Sequence, residues 1–193
     1  MKFSAPFLAA ALIGLGSAAS AAPVTYTFDT THSRVTFYIN HLGFSNSVGE
    51  FRVGDGTFVF DNDDWSKSKV EAKIPVQTLE LGDVKWNTHV LSHDFLDAAT
   101  YPQISFVSNR IERTDATHGR VHGDLTVHGV TKPVVLDLTV NKVGEHPMRK
   151  TPAAGFTATV TVHRSEFGVT YLLPVVGDDV TIRIEVESYV PKA

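Results

Sequence analysis

From Val24 onward apolar and polar residues alternate over long stretches, and a period of two demands strands with one buried and one wet face. In Val35-Thr36-Phe37-Tyr38-Ile39-Asn40-His41, one face carries Val35, Phe37, Ile39 and then His41. In Val70-Glu71-Ala72-Lys73-Ile74-Pro75-Val76, one face is wholly apolar and the other holds Glu71 and Lys73. Further apolar faces are Ile104/Phe106, Val134/Leu136/Leu138/Val140, Phe156/Ala158/Val160/Val162 and Val180/Ile182/Ile184/Val186. Opposite them stand mostly Thr, Asp, Asn, Arg and Glu, residues that remain in water.

Turn signals divide these runs at Gly43, Gly54-Asp55-Gly56, Asp61-Asn62-Asp63-Asp64, His118-Gly119, His128-Gly129 and Gly177-Asp178-Asp179. About eight strands result, several of them roughly ten residues long. A sandwich and a closed barrel both satisfy such strands, and closure also removes exposed edges, but alternation alone does not choose between them. One stretch, Gly82 to Ala99, breaks the pattern. Asp83 can cap a helix with Trp86, Val90 and Leu91 at helical spacing, and Asp94 can cap a further turn through Leu96 before Tyr101-Pro102 stops it. The expectation is an all-β chain with one short helical excursion over about Asp83–Leu96.

Composition bounds the rest. Met1-Lys2-Phe3-Ser4 gives a short basic start, and Pro6 to Leu15 is an apolar run too short to span a bilayer. Residues 1–21 therefore read as a signal peptide cleaved after Ala19-Ser20-Ala21, which predicts an exported, periplasmic protein whose single mature domain is 22–193. Loss of Lys2 with the leader moves the formal net charge from −4 to −5. The 193-residue chain has no cysteine, which excludes thiol chemistry and disulfide staples. No Lys/Arg cluster suggests a nucleic-acid surface, and no repeat or linker suggests a second domain.

Two long motifs carry a resemblance. Thr88-His89-Val90-Leu91-Ser92-His93-Asp94-Phe95-Leu96-Asp97-Ala98-Ala99-Thr100-Tyr101-Pro102 resembles the helix-to-strand segment of the YceI-like, polyisoprenoid-binding family. Gly123-Asp124-Leu125-Thr126-Val127-His128-Gly129-Val130-Thr131-Lys132-Pro133-Val134 resembles that family's hairpin nearly residue for residue. His32 to Phe37, His41-Leu42-Gly43 and Gly49-Glu50-Phe51 also fit, so the likeness spans roughly Tyr26 to Glu187. It implies an eight-stranded antiparallel, lipocalin-like β-barrel whose apolar tunnel holds an isoprenoid lipid, such as a quinone or polyprenyl lipid, and no cofactor beyond that lipid. One departure stands out: where the family places an Arg followed by an acidic residue, this chain has Trp86-Asn87. No charged head-group role carries over to the helix.

The resemblance and the alternation together nominate ligand contacts. On the inward faces these are Val35, Phe37, Ile39, Phe51, Ile74, Phe106, Leu136, Leu138, Phe156, Val160, Ile182 and Ile184. Near a strand end, Phe44 beside Gly43 and the loop containing Tyr171 and Leu172 join them, because an apolar loop in an exported chain needs cover from a ligand, a second subunit in a homodimer or a membrane surface. A filled core and a ligand tunnel share this pattern. His41 ends an inward face and has two readings, a hydrogen bond to a ligand carbonyl or head group, or one to a nearby backbone carbonyl.

Other constellations point nowhere specific. His89 and His93 have the i, i+4 spacing of a helical ligand pair, but no third ligand is indicated, and no metal site is expected. Ser92-His93-Asp94 and Ser165-Glu166 supply triad letters without a nucleophile elbow. Gly54-Asp55-Gly56 leads into a strand and reads as a bulged turn, not a phosphate cradle. A binding protein is expected rather than an enzyme. The competing readings are an enzyme acting on such a lipid through His41, and a structural or partner-binding barrel with a filled core.

Overall fold

The computed structural model describes residues 22–192, and the expected signal peptide, 1–21, lies outside the described residues. Ten strand segments form one antiparallel sheet: β1 (Val24–Phe28), β2 (Arg34–His41), β3 (Ser45–Arg52), β4 (Gly56–Phe60), β5 (Lys69–Pro75), β6 (Gln103–Arg113), β7 (His118–Val127), β8 (Val130–Glu145), β9 (Pro152–His163) and β10 (Val176–Tyr189). The ten segments occupy eight strand positions. Both β1 and β2 pair with β10, through Phe28 with Ser188 and Arg34 with Glu185, so they are one strand interrupted by a turn. Likewise β3 pairs with β2 and β4 with β1, with a break at Val53–Asp55. Sequential neighbours pair from β4 to β10, and β1 against β10 closes the ring, so the alternation that allowed sandwich or barrel is an eight-stranded antiparallel barrel.

The interruption in the first strand is stitched by polar groups. Asp29 N–H donates to Glu187 O at 2.8 Å, and the fully buried Ser33 hydroxyl both donates to Glu187 O and accepts from Glu187 N–H. Those bonds satisfy backbone groups that the missing ladder would otherwise strand. At two hairpins the backbone enters the left-handed region: Leu42 (φ 58°) with Gly43 (φ 76°), and His128 (φ 51°) with Gly129 (φ 74°). The second pair is the two-residue loop joining Val127 to its partner Val130, where positive φ at both positions matches the twist of the strands.

Two expected turns move. His118-Gly119 begins β7, because the Asp115 carboxylate accepts the N–H groups of Thr117 and His118 and places the turn three residues earlier. Those hydrogen bonds pull the Asp115 carboxyl down to about 2. Gly177-Asp178-Asp179 lies inside β10, in a register irregularity between Val176 and Val180.

The helical excursion is shorter than expected. Helix α1 spans Val84–Val90, with the Asp83 side chain accepting from Trp86 N–H as anticipated. Beyond Leu91 the bonds lengthen, Leu96 N–H reaching Val90 O and Asp97 N–H reaching Ser92 O, so residues 92–96 are turns and Asp94 caps no helix. Seven residues cannot hold a helix in water alone. Packing holds this one: Leu81, Val90, Leu91 and Leu96 sit against the buried cluster of Phe51, Ile74 and Leu79. The excursion leaves the barrel at Val76 and returns at Pro102, joined by a Val76 N–H to Pro102 O bond, and bridges to β3 through Glu50 and Glu80. It thus lies beside the end of the barrel where β3 has no β5 ladder among the described residues.

Candidate ligand-binding cavity

The inward faces of the strands enclose a continuous cavity of about 660 Å³, within the range of small-molecule sites. Every inward face read from alternation contributes to its wall: Val35, Phe37, Ile39 and His41 from β2, Ile74 from β5, Phe106 from β6, Leu136 and Leu138 from β8, Phe156 and Val160 from β9, Ile182 and Ile184 from β10. Phe51 and Leu172 line it too. Fourteen of the sixteen nominated side chains therefore share one cavity, and two do not. Phe44 is 91% exposed, because it follows the left-handed Leu42-Gly43 pair at the hairpin tip and turns away from the barrel. Tyr171 stands outside the wall, its ring edge-on to Phe95 at 5.1 Å and near His89 at 6.0 Å.

The two ends of the cavity differ. At the far end Phe156 makes edge-to-face contacts with Phe58 (4.8 Å) and Phe60 (5.2 Å), and buried Trp65 packs on Phe60. Gly123 and Gly119 make this possible, since a Cβ would come within 2.5 Å of Phe106 at the first and of Trp65 at the second. At the other end His41, Ser47, Trp86, His89 and Leu172 meet solvent, so this end is the mouth. The His41 ring lies 6.2 Å from that of Trp86. No backbone carbonyl takes a bond from the His41 ring among the described residues, so the second of its two readings has no support here.

The mouth depends on a residue the pattern analysis passed over. Arg164 is 7% exposed and lines the cavity, yet its guanidinium is committed: Nε–H donates to Gly177 O, Nη1 to Val169 O and Tyr171 O, and Nη2 to Val176 O, all at 2.8–2.9 Å. Burial lowers its pKa while the Asp178 charge opposes that shift. Asp178 in turn accepts from Ser165 N–H and Oγ–H. One side chain thus holds the loop that carries Tyr171, Leu172 and Val175. The signal was available: Arg164 continues the parity of Phe156, Ala158, Val160 and Val162, and an inward cation requires a built set of acceptors. Phe28, Phe58 and Phe60 also line the cavity without standing among the nominated contacts, since their strands are only five residues long and offer too few alternations to read.

The remaining constellations disperse. The helix ends before His93, which is exposed and pairs with Asp97 at 3.2 Å, so His89 and His93 do not share a helical face. Ser92 Oγ donates to His89 O and Ser165 Oγ to Asp178, leaving the triad letters unconverged. Asp29, His32 and Glu187 bring ligand-type atoms within 4.8 Å of one another, but Asp29 is engaged by Arg149 at 2.9 Å and by His32 at 3.2 Å, an ion-pair cluster rather than an open cation site.

Comparison with known proteins agrees with this architecture. The model of the YceI-like domain matches residues 26–188. A UPF0312 protein of Pseudomonas savastanoi pv. phaseolicola is 39% identical over 166 residues, covering 84% of this chain and 86% of the relative. The crystal structure of Burkholderia cenocepacia BcnA superposes with a TM-score of 0.75 at 26% identity, covering 83% of this chain and 98% of that one. A polyisoprenoid binding domain from Saccharophagus degradans shares the fold, with a TM-score of 0.65 at 13% identity over 86% of this chain and 98% of that one. With a barrel closed as the motifs implied and a family match over nearly all the described residues, this chain belongs to the YceI-like family.

Proposed function

We propose that this protein binds and carries an isoprenoid-type lipid, a quinone or polyprenyl lipid, with the tail in the barrel cavity and the head at the mouth. The observation that carries the reading is the cavity itself, continuous, walled by apolar side chains and open at one end. Burial of a chain there contributes roughly 0.8 kcal/mol per methylene-sized group, enough over a few isoprene units to offset the several kcal/mol lost on association. The naming of a fold relative as a polyisoprenoid binding domain fits the same use. Binding is favoured over catalysis, since the wall holds no Asp or Glu, and His41 and His89 have no carboxylate or nucleophile partner among the described residues.

Carriage takes place in the periplasm, where the leader would deliver the chain. Transient contact with a membrane surface fits the exposed rim of Leu42, Phe44, Val84, Leu172 and Val175 around the mouth, while a second copy capping that rim in a homodimer is the competing cover. The test is to purify the mature protein without detergent, extract it with organic solvent and identify lipid by mass spectrometry. A co-purifying isoprenoid, or uptake of added quinone, is expected. Empty protein that takes up no quinone overturns the proposal.

A further inference from the structure

The proposed tail-in, head-out arrangement leaves the head group to be chosen by the mouth, and the polar inventory there is unusual. The wall contains a single formally charged side chain, Arg164, and four backbone carbonyls already take its N–H groups. The other polar groups are His41, Ser47, the Trp86 indole and His89. A neutral imidazole offers one donor and one acceptor, and neither ring has a hydrogen-bond partner among the described residues. The segments that gather at the mouth, residues 40–47, 80–97, 127–132 and 164–179, carry seven carboxylates against three cations, Lys85, Lys132 and Arg164. Such a surround repels a phosphorylated head group and leaves a carbonyl or hydroxyl unaffected.

We infer that the mouth selects an uncharged head group bearing a carbonyl or hydroxyl, hydrogen-bonded by His41 and His89 beside Trp86, and discriminates against a phosphorylated one. The inference rests on the carrier reading and adds the ligand class. The His41 ring lies 6.2 Å from that of Trp86, and His89 follows Trp86 by three residues on α1, so both imidazoles line the cavity beside that indole. Phosphate recognition elsewhere converges several free Arg or Lys side chains or backbone N–H nests on the anion, whereas here the one cation lining the cavity, Arg164, is committed to carbonyls, Lys85 is exposed outside the wall, and α1 is only seven residues long.

The experiment is calorimetric titration of detergent-free protein at pH 8 with four probes of one prenyl tail length: a benzoquinone, the free alcohol, the diphosphate and the bare hydrocarbon. The quinone and alcohol are expected to bind at least about tenfold tighter than the diphosphate. His41→Leu with His89→Leu is expected to weaken the quinone by about tenfold, the worth of one to two neutral hydrogen bonds, and to leave the hydrocarbon unchanged. His41→Gln with His89→Gln, which keeps a donor and an acceptor at each position, should recover most of the loss. A diphosphate equal to or tighter than the quinone overturns the inference, as does full quinone affinity in the Leu pair. If the hydrocarbon still binds in either case, the carrier reading survives and only the head-group class falls; if no probe binds, both fall. Should the Leu pair not fold, the ranking of the four probes on the wild type decides alone.

Discussion

The far end of the barrel and its mouth are built from the same alternating strands and differ in what covers them. At the far end Phe58, Phe60, Phe156 and Trp65 interlock at 4.8–5.9 Å and are nearly inaccessible. At the mouth Leu42 and Leu172, both with positive φ, stand 48% and 40% exposed, beside imidazoles without partners. Left-handed backbone at two leucines carries a conformational cost that surrounding structure must overcome, and such cost concentrates at functional positions. One end therefore uses apolar burial for stability, and the other keeps apolar surface available for binding.

Breaking the far end should have the largest consequence. Phe156→Ala removes the ring that both Phe58 and Phe60 contact edge-on and is expected to lower unfolding free energy by ~3–5 kcal/mol in a denaturant titration. A loss below ~1 kcal/mol would mean that this end is not a packed core. Arg164→Met comes next. It leaves carbonyls of Val169, Tyr171, Val176 and Gly177 without their donor, for an expected ~3 kcal/mol, and hydrogen exchange should rise in residues 169–177 before it rises in β7. Uniform acceleration across the barrel would show instead that the mouth loop and the far end unfold as one unit.

A smaller effect separates the two ends by pH. Burial pushes the Asp29 carboxyl up, but hydrogen bonds from His32, Arg149 and the Thr31 and His32 N–H groups outweigh it and hold the group below the usual carboxylate range. A lowered folded-state pKa adds stability above the unfolded carboxylate range, lost as pH falls through the lower folded value. Arg149→Met should accordingly shift the acid unfolding limb of the wild type to higher pH, with little change near neutral pH in the shape of the curve. The smallest effect on stability belongs to the mouth: Phe44→Ser is expected to move unfolding free energy by less than ~0.5 kcal/mol while slowing lipid transfer to vesicles. Unchanged transfer would remove Phe44 from the membrane contact.

Much of the cavity was legible because strand parity is local: once Val35 faces inward, Phe37, Ile39 and His41 follow without knowledge of any other strand. Phe44 and Tyr171, nominated for their place near a strand end and in an apolar loop, lie outside the cavity wall, because neither is on a strand and no periodicity fixes where a loop side chain points. The inward direction of Arg164 follows from the same parity, but which groups receive its N–H donors does not, because the four carbonyls come from residues five to thirteen positions away in an irregular loop.

The alternation and the two long motifs by themselves determined most of the strands and their inward faces, the Asp83-capped helix start and the family, since each depends on neighbours along the chain. Only the tertiary structure decided that ten segments form eight strand positions, that β1 closes against β10, and that the inward side chains surround space instead of filling it. The reason is volume: whether apolar faces touch or leave a gap depends on how wide the ring closes and where glycines admit aromatic rings, quantities set by all the strands together.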